Sequence, residues 1–419
     1  MVTGLGSPDR VVSRDEAHAV LAEAFAPVPI DRRRVLAVIP DGTRTAPMPM
    51  MFDLLERIVG ARASALDFLV ALGTHQPMSD SELARLVGRP VFEGRAGRSR
   101  IMNHRWDDPS ALVAAGVIPA DEVSGLTGGL MADPVPVTLN RALFDYDHVV
   151  LCGPVFPHEV VGFSGGTKYL VPGVAGPAVI DLTHWIGALL TSSRVIGSGY
   201  TPVRAVIDRA AGMVDRPMTS VSLVVTTAGL KGLFVGPPRE AWEQAAALSS
   251  QVHIVRVPQP LRRVLSMMPP MYDDLWTAAK GMYKLEPAIA DGGEVVIYAP
   301  NVTEVSYTHG ALIDEVGYHC RDYFLGQWDR FKRFPGAILA HSTHVKGLGT
   351  YDAASGEERA RITVTLATGI PRERCERINL GYLDPSSIDV DDWTGREAEG
   401  VLVVPRAGEM LYRLSGGAS

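Results

Sequence analysis

Cysteine is scarce. Cys152, Cys320 and Cys375 are odd in number and scattered over 419 residues with no CxxC pair, which argues against a disulfide framework and a cysteine-zinc site. Reduced thiols in a cytoplasm are the expectation. Long hydrophobic runs are missing too. No stretch approaches the roughly 18 uninterrupted apolar residues of a membrane helix, and residues Met1 to Arg14 hold no apolar segment of a leader. Positive charge is in deficit, 40 Lys and Arg against 47 Asp and Glu, a net −7 that argues against nucleic acid or an anionic membrane as partner. A small anionic substrate stays open, because the local field of a cleft decides its binding. There is no internal repeat and no low-complexity segment.

What is present is the mix of a globular protein, 46% apolar and 21% charged, in a chain long enough to expect two domains. Short β-rich apolar runs alternate with amphipathic stretches, the mark of an α/β fold. Ser13 to Glu16 and Ser79 to Glu82 are capping boxes that open helices, the first running to about Phe25. Strands are expected at Val35–Ile39, Leu66–Leu72, Val149–Cys152, Val221–Val225 and Val252–Val257, and helices at Met51–Val59 and Ala241–Leu248. The pattern pauses at Pro258-Gln259-Pro260, which predicts an N-terminal α/β domain over 1–258 and a second α/β domain over 261–419. In the second, strands are expected near Arg263–Met267, Val295–Tyr298, Ala337–Ala340, Ile362–Leu366, Ile378–Leu380 and Val401–Val404, with helices at Asp273–Leu285 and Leu312–Val316.

Ligands of open α/β sheets collect beyond the carboxyl ends of strands, so the loops there deserve the closest reading. Asp41-Gly42-Thr43-Arg44 follows one strand; Asp-Gly is an ordinary turn, yet Arg44 offers a fork for a carboxylate or phosphate. Gly73-Thr74-His75 follows the next strand, and a histidine there is either a surface residue or an acid–base group titrating near neutrality. The segment Gly153 to Trp185 holds His158, Lys168 and His184 among glycines that let backbone approach a ligand. Gly166-Thr167-Lys168 fails the Walker order, and GxGxxG fails as well. A flexible loop with solvated Lys and His is the plain alternative, but the apolar surroundings fit a snug pocket better. Trp276-Thr277-Ala278-Ala279-Lys280 is expected on a helix, where an exposed lysine is commonplace. His341-Ser342-Thr343-His344 is expected on a loop after the Ala337–Ala340 strand, a poor geometry for a two-histidine metal site.

Taken in order, these motifs resemble the lactate racemase family. The most specific stretch is His158 through His184, with Gly162-Phe163-Ser164-Gly165-Gly166-Thr167-Lys168 and Val171-Pro172-Gly173-Val174 between them. The resemblance implies two α/β domains with an interdomain active-site cleft, the N-terminal one carrying the cofactor and the catalytic histidines. It implies a nickel-pincer nucleotide, a pyridinium mononucleotide whose two thio groups and ring carbon bind nickel. Lys168 would be its attachment point and His184 the nickel ligand from the protein, an imidazole beside soft donors that suits square-planar Ni(II). His75 and His158 would be the catalytic acid–base pair, Arg44 and Lys280 the grip on the substrate carboxylate, and Asp41 and Trp276 neighbours of the cofactor. The implied activity is racemisation or epimerisation at C2 of a 2-hydroxy acid by reversible hydride transfer. Partners would be that substrate and the enzymes that make and insert the cofactor.

Two departures bear on the substrate. Trp276-Thr277 stands where lactate racemases tend to have Tyr-Gln, and His341-Ser342-Thr343-His344 stands where they place a late aromatic. With Thr277, His341 and His344 facing the substrate, a polar 2-hydroxy acid such as an aldonate is expected, with lactate or a short or aromatic 2-hydroxy acid as the alternative. Two other classes compete. A zinc hydrolase or lyase would use His75, His158 and His184, although no close ligand spacing such as HExxH is present. A non-catalytic nucleotide or nickel carrier would have no need of an acid–base pair.

Overall fold

The computed structural model describes residues 1–416. The chain forms two compact units, and neither is one continuous run. The first comprises residues 1–156, 163–180 and 204–252; the second comprises 157–162, 181–203 and 253 onward.

The first unit is built on an eight-stranded sheet, in the spatial order Thr3–Gly6, Gly229–Gly236, Met218–Thr226, His148–Pro154, Arg34–Ile39, Ala65–Val70, Ser99–Asn103 and Arg95–Ala96. The five strands from Met218–Thr226 to Ser99–Asn103 are mutually parallel. Val35 to Ile39 and Phe68 to Val70 are buried throughout, as expected of parallel strands covered on both faces. Both capping boxes form, opening helices Arg14–Phe25 and Asp80–Val87. Because Ile39 pairs in register with Val70, the loops carrying Asp41 and His75 leave the sheet side by side.

The second unit has a five-stranded parallel sheet ordered Gly381–Tyr382, Thr363–Thr368, Ile289–Ala299, Leu261–Met267, Val401–Val404. At its centre Val264, Leu265, Val295, Val296 and Ile297 are fully buried. The two units together make the α/β architecture that the alternating pattern predicts.

Three local expectations are corrected. The run Ala337–Ala340 is helical, part of Gly336–Lys346. Every residue from Ala337 to Val345 is buried, so no polar face remains to reveal the 3.6-residue period. His341 and His344 therefore sit one turn apart on a helix and not on a loop. The single helix expected over Asp273–Leu285 is two one-turn helices, Leu275–Ala278 and Lys280–Tyr283, with Asp274 as N-cap of the first. The strand expected at Ile378–Leu380 begins later, at Gly381, after Asn379 turns through φ +64. The three thiols are unpaired and buried. Among the described residues no helix is long and apolar enough to cross a membrane.

Candidate active site

In the first unit, Asp41 is fixed before any ligand arrives. Its Oδ1 accepts from Thr43 N at 3.0 Å and from Thr43 Oγ1 at 2.6 Å. Its Oδ2 lies 2.6 Å from His75 Nδ1. Burial alone would raise this carboxyl, but the charge and hydrogen bond of His75, the Arg44 guanidinium and the Thr43 hydroxyl outweigh it and hold Asp41 well below the usual carboxylate range. A carboxylate at that position accepts, so in the neutral ring Nδ1 carries the proton and Nε2 presents the lone pair. Arg44 lies 5.7 Å from the Phe156 ring centroid and is close enough to Tyr169 to act on its hydroxyl.

Lys168 lies in a tight 3₁₀ turn, Gly166–Tyr169, that only glycine can build. Gly165 has φ +83, and a Cβ there would meet Val155 Cγ2 at 2.4 Å. A Cβ on Gly153 would meet the Tyr169 hydroxyl at 2.0 Å. Two residues not singled out from the sequence hold this turn. Arg204, 1% exposed, donates from Nη1 to Gly165 O at 3.0 Å and from Nη2 to Phe163 O. Its guanidinium stacks over Trp242 at 4.2 Å, and Trp242 Nε1 donates to Ser164 O at 2.8 Å. The one signal in the sequence is an arginine among Val203, Val206 and Ile207, on an otherwise apolar helix face.

In the second unit, His158 is 7% exposed. Its Nδ1 accepts from Val160 N at 3.2 Å, which leaves Nε2 as the protonated nitrogen in the neutral ring. Glu159 Oε2, 3.2 Å from the same Nδ1, would stabilise an imidazolium. His184 lies on helix Pro177–Leu190. That helix meets Gly336–Lys346 closely, since Asp181 Oδ1 accepts from Ala337 N at 3.1 Å. A Cβ on Gly336 would meet Asp181 O at 2.5 Å. This contact brings His184 toward His341 and His344. Burial, then the neighbouring His344, His309, His184 and Lys280, push His341 well below the usual histidine range. Burial pushes His344 down to about 4.

Trp276 stacks on His341 at 3.9 Å between ring centroids and meets His309 at 4.6 Å. His341 Nε2 is 3.2 Å from the Tyr318 hydroxyl. Lys280 is buried, with Nζ 4.5 Å from the Tyr272 ring centroid and donating to Thr277 O at 3.3 Å. His309 and Tyr318 join this group without any sequence signal, because their closeness arises only in the fold. Thr277 turns inward: its hydroxyl donates to Asp274 Oδ1 at 2.8 Å and lies 3.1 Å from Asp274 O. Ser342 Oγ accepts from His319 N and donates to Gly317 O, and Thr343 Oγ1 donates to Ala340 O. Among the described residues no three His, Cys, Asp or Glu converge to hold a metal ion.

These features define an α/β protein with two main sheets and with histidine and arginine side chains beyond the carboxyl ends of strands in the first. Residues 17–196 match the lactate racemase N-terminal domain family. A Thermotoga maritima protein of known crystal structure shares 32% identity over 98% of this chain and 100% of its own, with TM-score 0.90. Residues 17–196 thus form a lactate racemase N-terminal domain. The lactate racemase of Thermoanaerobacterium thermosaccharolyticum is 20% identical over 70% of this chain and 66% of its own length. Its apoprotein structure superposes with TM-score 0.68 at 16% identity, covering 95% of this chain and 93% of that one. The Lactiplantibacillus plantarum lactate racemase is 26% identical over 36% of this chain, an alignment that spans only 32% of that relative.

Proposed function

We propose that the protein is an isomerase, a nickel-dependent racemase or epimerase acting at C2 of a 2-hydroxy acid. The observation that carries the reading is the opposite set of the two histidines. Asp41 leaves His75 Nε2 as a base, whereas Glu159, 3.2 Å from His158 Nδ1, favours the imidazolium that can return a proton. Inverting a carbinol centre needs one group that takes the hydroxyl proton and another that returns one, and in the reverse direction the roles exchange. Such assistance is typically worth about 10²–10⁴-fold. Arg44 and Lys280 would hold the carboxylate, Arg44 by a planar fork and Lys280 as a buried point charge.

The residues present fit a nickel-pincer nucleotide. Lys168 offers an amine on a turn whose glycines pack tightly against Val155 and Trp242, and His184 is a single imidazole suited to a nickel ion whose other donors come with the nucleotide. When bound, the group supplies a reversible hydride acceptor, which spares the chain from stabilising a carbanion beside a carboxylate. Lys168 would hold it, His184 would ligate its metal, and Trp276 would pack beside it. Enzymes that make and insert the cofactor are the implied partners, and the cytoplasm is the expected compartment for three reduced thiols.

A polar substrate such as an aldonate remains our reading, on narrower grounds than the sequence offered. Thr277, Ser342 and Thr343 use their hydroxyls within the protein, so the imidazoles of His341 and His344 carry it. The stack of Trp276 on His341 favours a second reading, an aromatic 2-hydroxy acid. Protein produced with the cofactor-synthesis enzymes and assayed on lactate, malate, phenyllactate and gluconate separates them. Highest kcat/KM on gluconate supports the first reading, and highest on phenyllactate the second. No activity on any of the four, in protein shown by mass to carry the nucleotide, would defeat both.

A further inference from the structure

We infer that a small cavity of the second unit, lined by Thr191, Ser192, Glu286, Arg321, Asp322 and His344, binds the terminal hydroxyl groups of an uncharged polyol chain. This rests on the reading above for its link to turnover, since the chain would be the tail of a polyhydroxy acid.

Three buried polar atoms among the described residues lack a hydrogen-bond partner and belong to residues of this one cavity: Thr191 Oγ1, Ser192 Oγ and His344 Nε2. Ser192 is 5% exposed and His344 3%. Leaving a buried donor or acceptor unpaired is costly, so three in one place mark a position built to be filled by a polar group. Thr191 adds a second sign. It is β-branched yet held at φ +73, a conformation that persists only where the surroundings impose it and that gathers at ligand sites.

Charge and size choose the ligand. Arg321 gives Nε and Nη2 to Asp322 Oδ1, at 3.0 and 2.9 Å, and Nη1 to Leu189 O at 3.0 Å. Glu286 Oε1 accepts from Leu348 N at 2.7 Å and lies 3.8 Å from Arg361 Nη2. The lining charges thus cancel in pairs and favour neither an anion nor a cation. What remains, two hydroxyls and an imidazole, either donates or accepts, as an alcohol does. The cavity volume is about 30 Å³, room for two groups at roughly 10–15 Å³ each. A nucleotide or sugar ring is too large, whereas the last two hydroxyls of an open chain fit. Position agrees as well. Thr191 follows helix Pro177–Leu190, which carries His184, and His344 stands one turn beyond His341, which feels Lys280. A carboxylate held at Lys280 would send its tail along this row.

The test uses the full-length cofactor-free chain and saturation-transfer NMR with threitol, and L-lactate as a control. Threitol should bind, and Ser192→Ala and Thr191→Gly should each weaken it about tenfold while lactate is unaffected. On nucleotide-loaded enzyme, the gluconate-to-lactate ratio of kcat/KM should fall by the same factor. Two variants guard against a folding defect in one, with thermal melting as control. Threitol binding that is absent, or equal in all three proteins, overturns the proposal. Threitol bound and lost in the variants upholds the cavity, even if the loaded enzyme racemises no 2-hydroxy acid and the proposed function falls. Gluconate epimerised with an unchanged ratio in both variants upholds the function and overturns the cavity.

Discussion

Asp41 Oδ2 and His75 Nδ1 stand 2.6 Å apart, and two adjacent parallel strands set that distance. The Ile39–Val70 pair puts the loops next to each other, while Thr43 holds the other carboxylate oxygen. The carboxylate selects the tautomer of the ring, so Asp41→Asn should keep the geometry and spoil the base. The expected result on loaded enzyme is a kcat about 10²–10⁴ lower with KM little changed. Near wild-type kcat would make Asp41 a structural residue only.

Arg44→Lys tests the carboxylate grip. Lysine keeps the charge but loses the fork, so kcat/KM should drop at least about tenfold. The amide of the same 2-hydroxy acid should be a poor substrate for the wild type, and comparable rates on acid and amide would show that no such grip exists.

His184→Ala and Lys168→Ala should separate metal from nucleotide. The first should lose nickel by elemental analysis while remaining folded; the second should lose the mass increment of any attached nucleotide. Undiminished nickel in His184→Ala would remove that residue from the metal.

Gly165→Ala tests the Lys168 turn without touching a functional side chain. The added Cβ meets Val155 Cγ2 at 2.4 Å with φ +83, strain of about 1–3 kcal/mol. A lower urea midpoint together with lost nucleotide binding is expected, and an unchanged midpoint would mean that the turn adapts freely.

Two histidines outside the site should contribute to acid stability, alongside His341 and His344 within it. Burial pushes His104 and His148 down to about 4, against about 6.5 in an unfolded chain. Between those values the unfolded chain binds protons that the folded chain does not. Stability is therefore complete above about pH 6.5 and falls as pH drops toward 4, by about 1.4 kcal/mol per unit for each histidine. His104 Nε2 donates to Ala175 O and its Nδ1 accepts from Asn140, so the neutral ring is fully bonded. His104→Gln should flatten the urea stability profile over this range, and an unaltered slope would place the proton uptake elsewhere.

The parallel strands of the first unit are legible in the sequence because they are buried on both faces and read as unbroken apolar runs between turn residues. Their loops inherit that clarity, which is why Asp41, Arg44 and His75 stand out early. Helix Gly336–Lys346 is illegible for the same reason: burial all round erases the polar stripe that distinguishes a helix from a strand. The bond from the Thr277 hydroxyl to Asp274 leaves no trace in composition. Arg204, His309 and Tyr318 are invisible as partners, since Arg204 lies 39 residues from Gly165 and Tyr318 23 from His341.

Each unit is threaded from three separate stretches of chain, so the backbone passes from one to the other five times. No single cut of the gene releases either unit whole. Ending translation after Val252 would keep His158 and His184 in the polypeptide, yet strip them of the helix Gly336–Lys346 and the sheet they belong with. A chimera that exchanges substrate preference with a relative must therefore graft three segments at once. Recombination at one crossover yields proteins whose histidines have lost their own scaffold, and inheritance of the fold as a single block follows from that braiding.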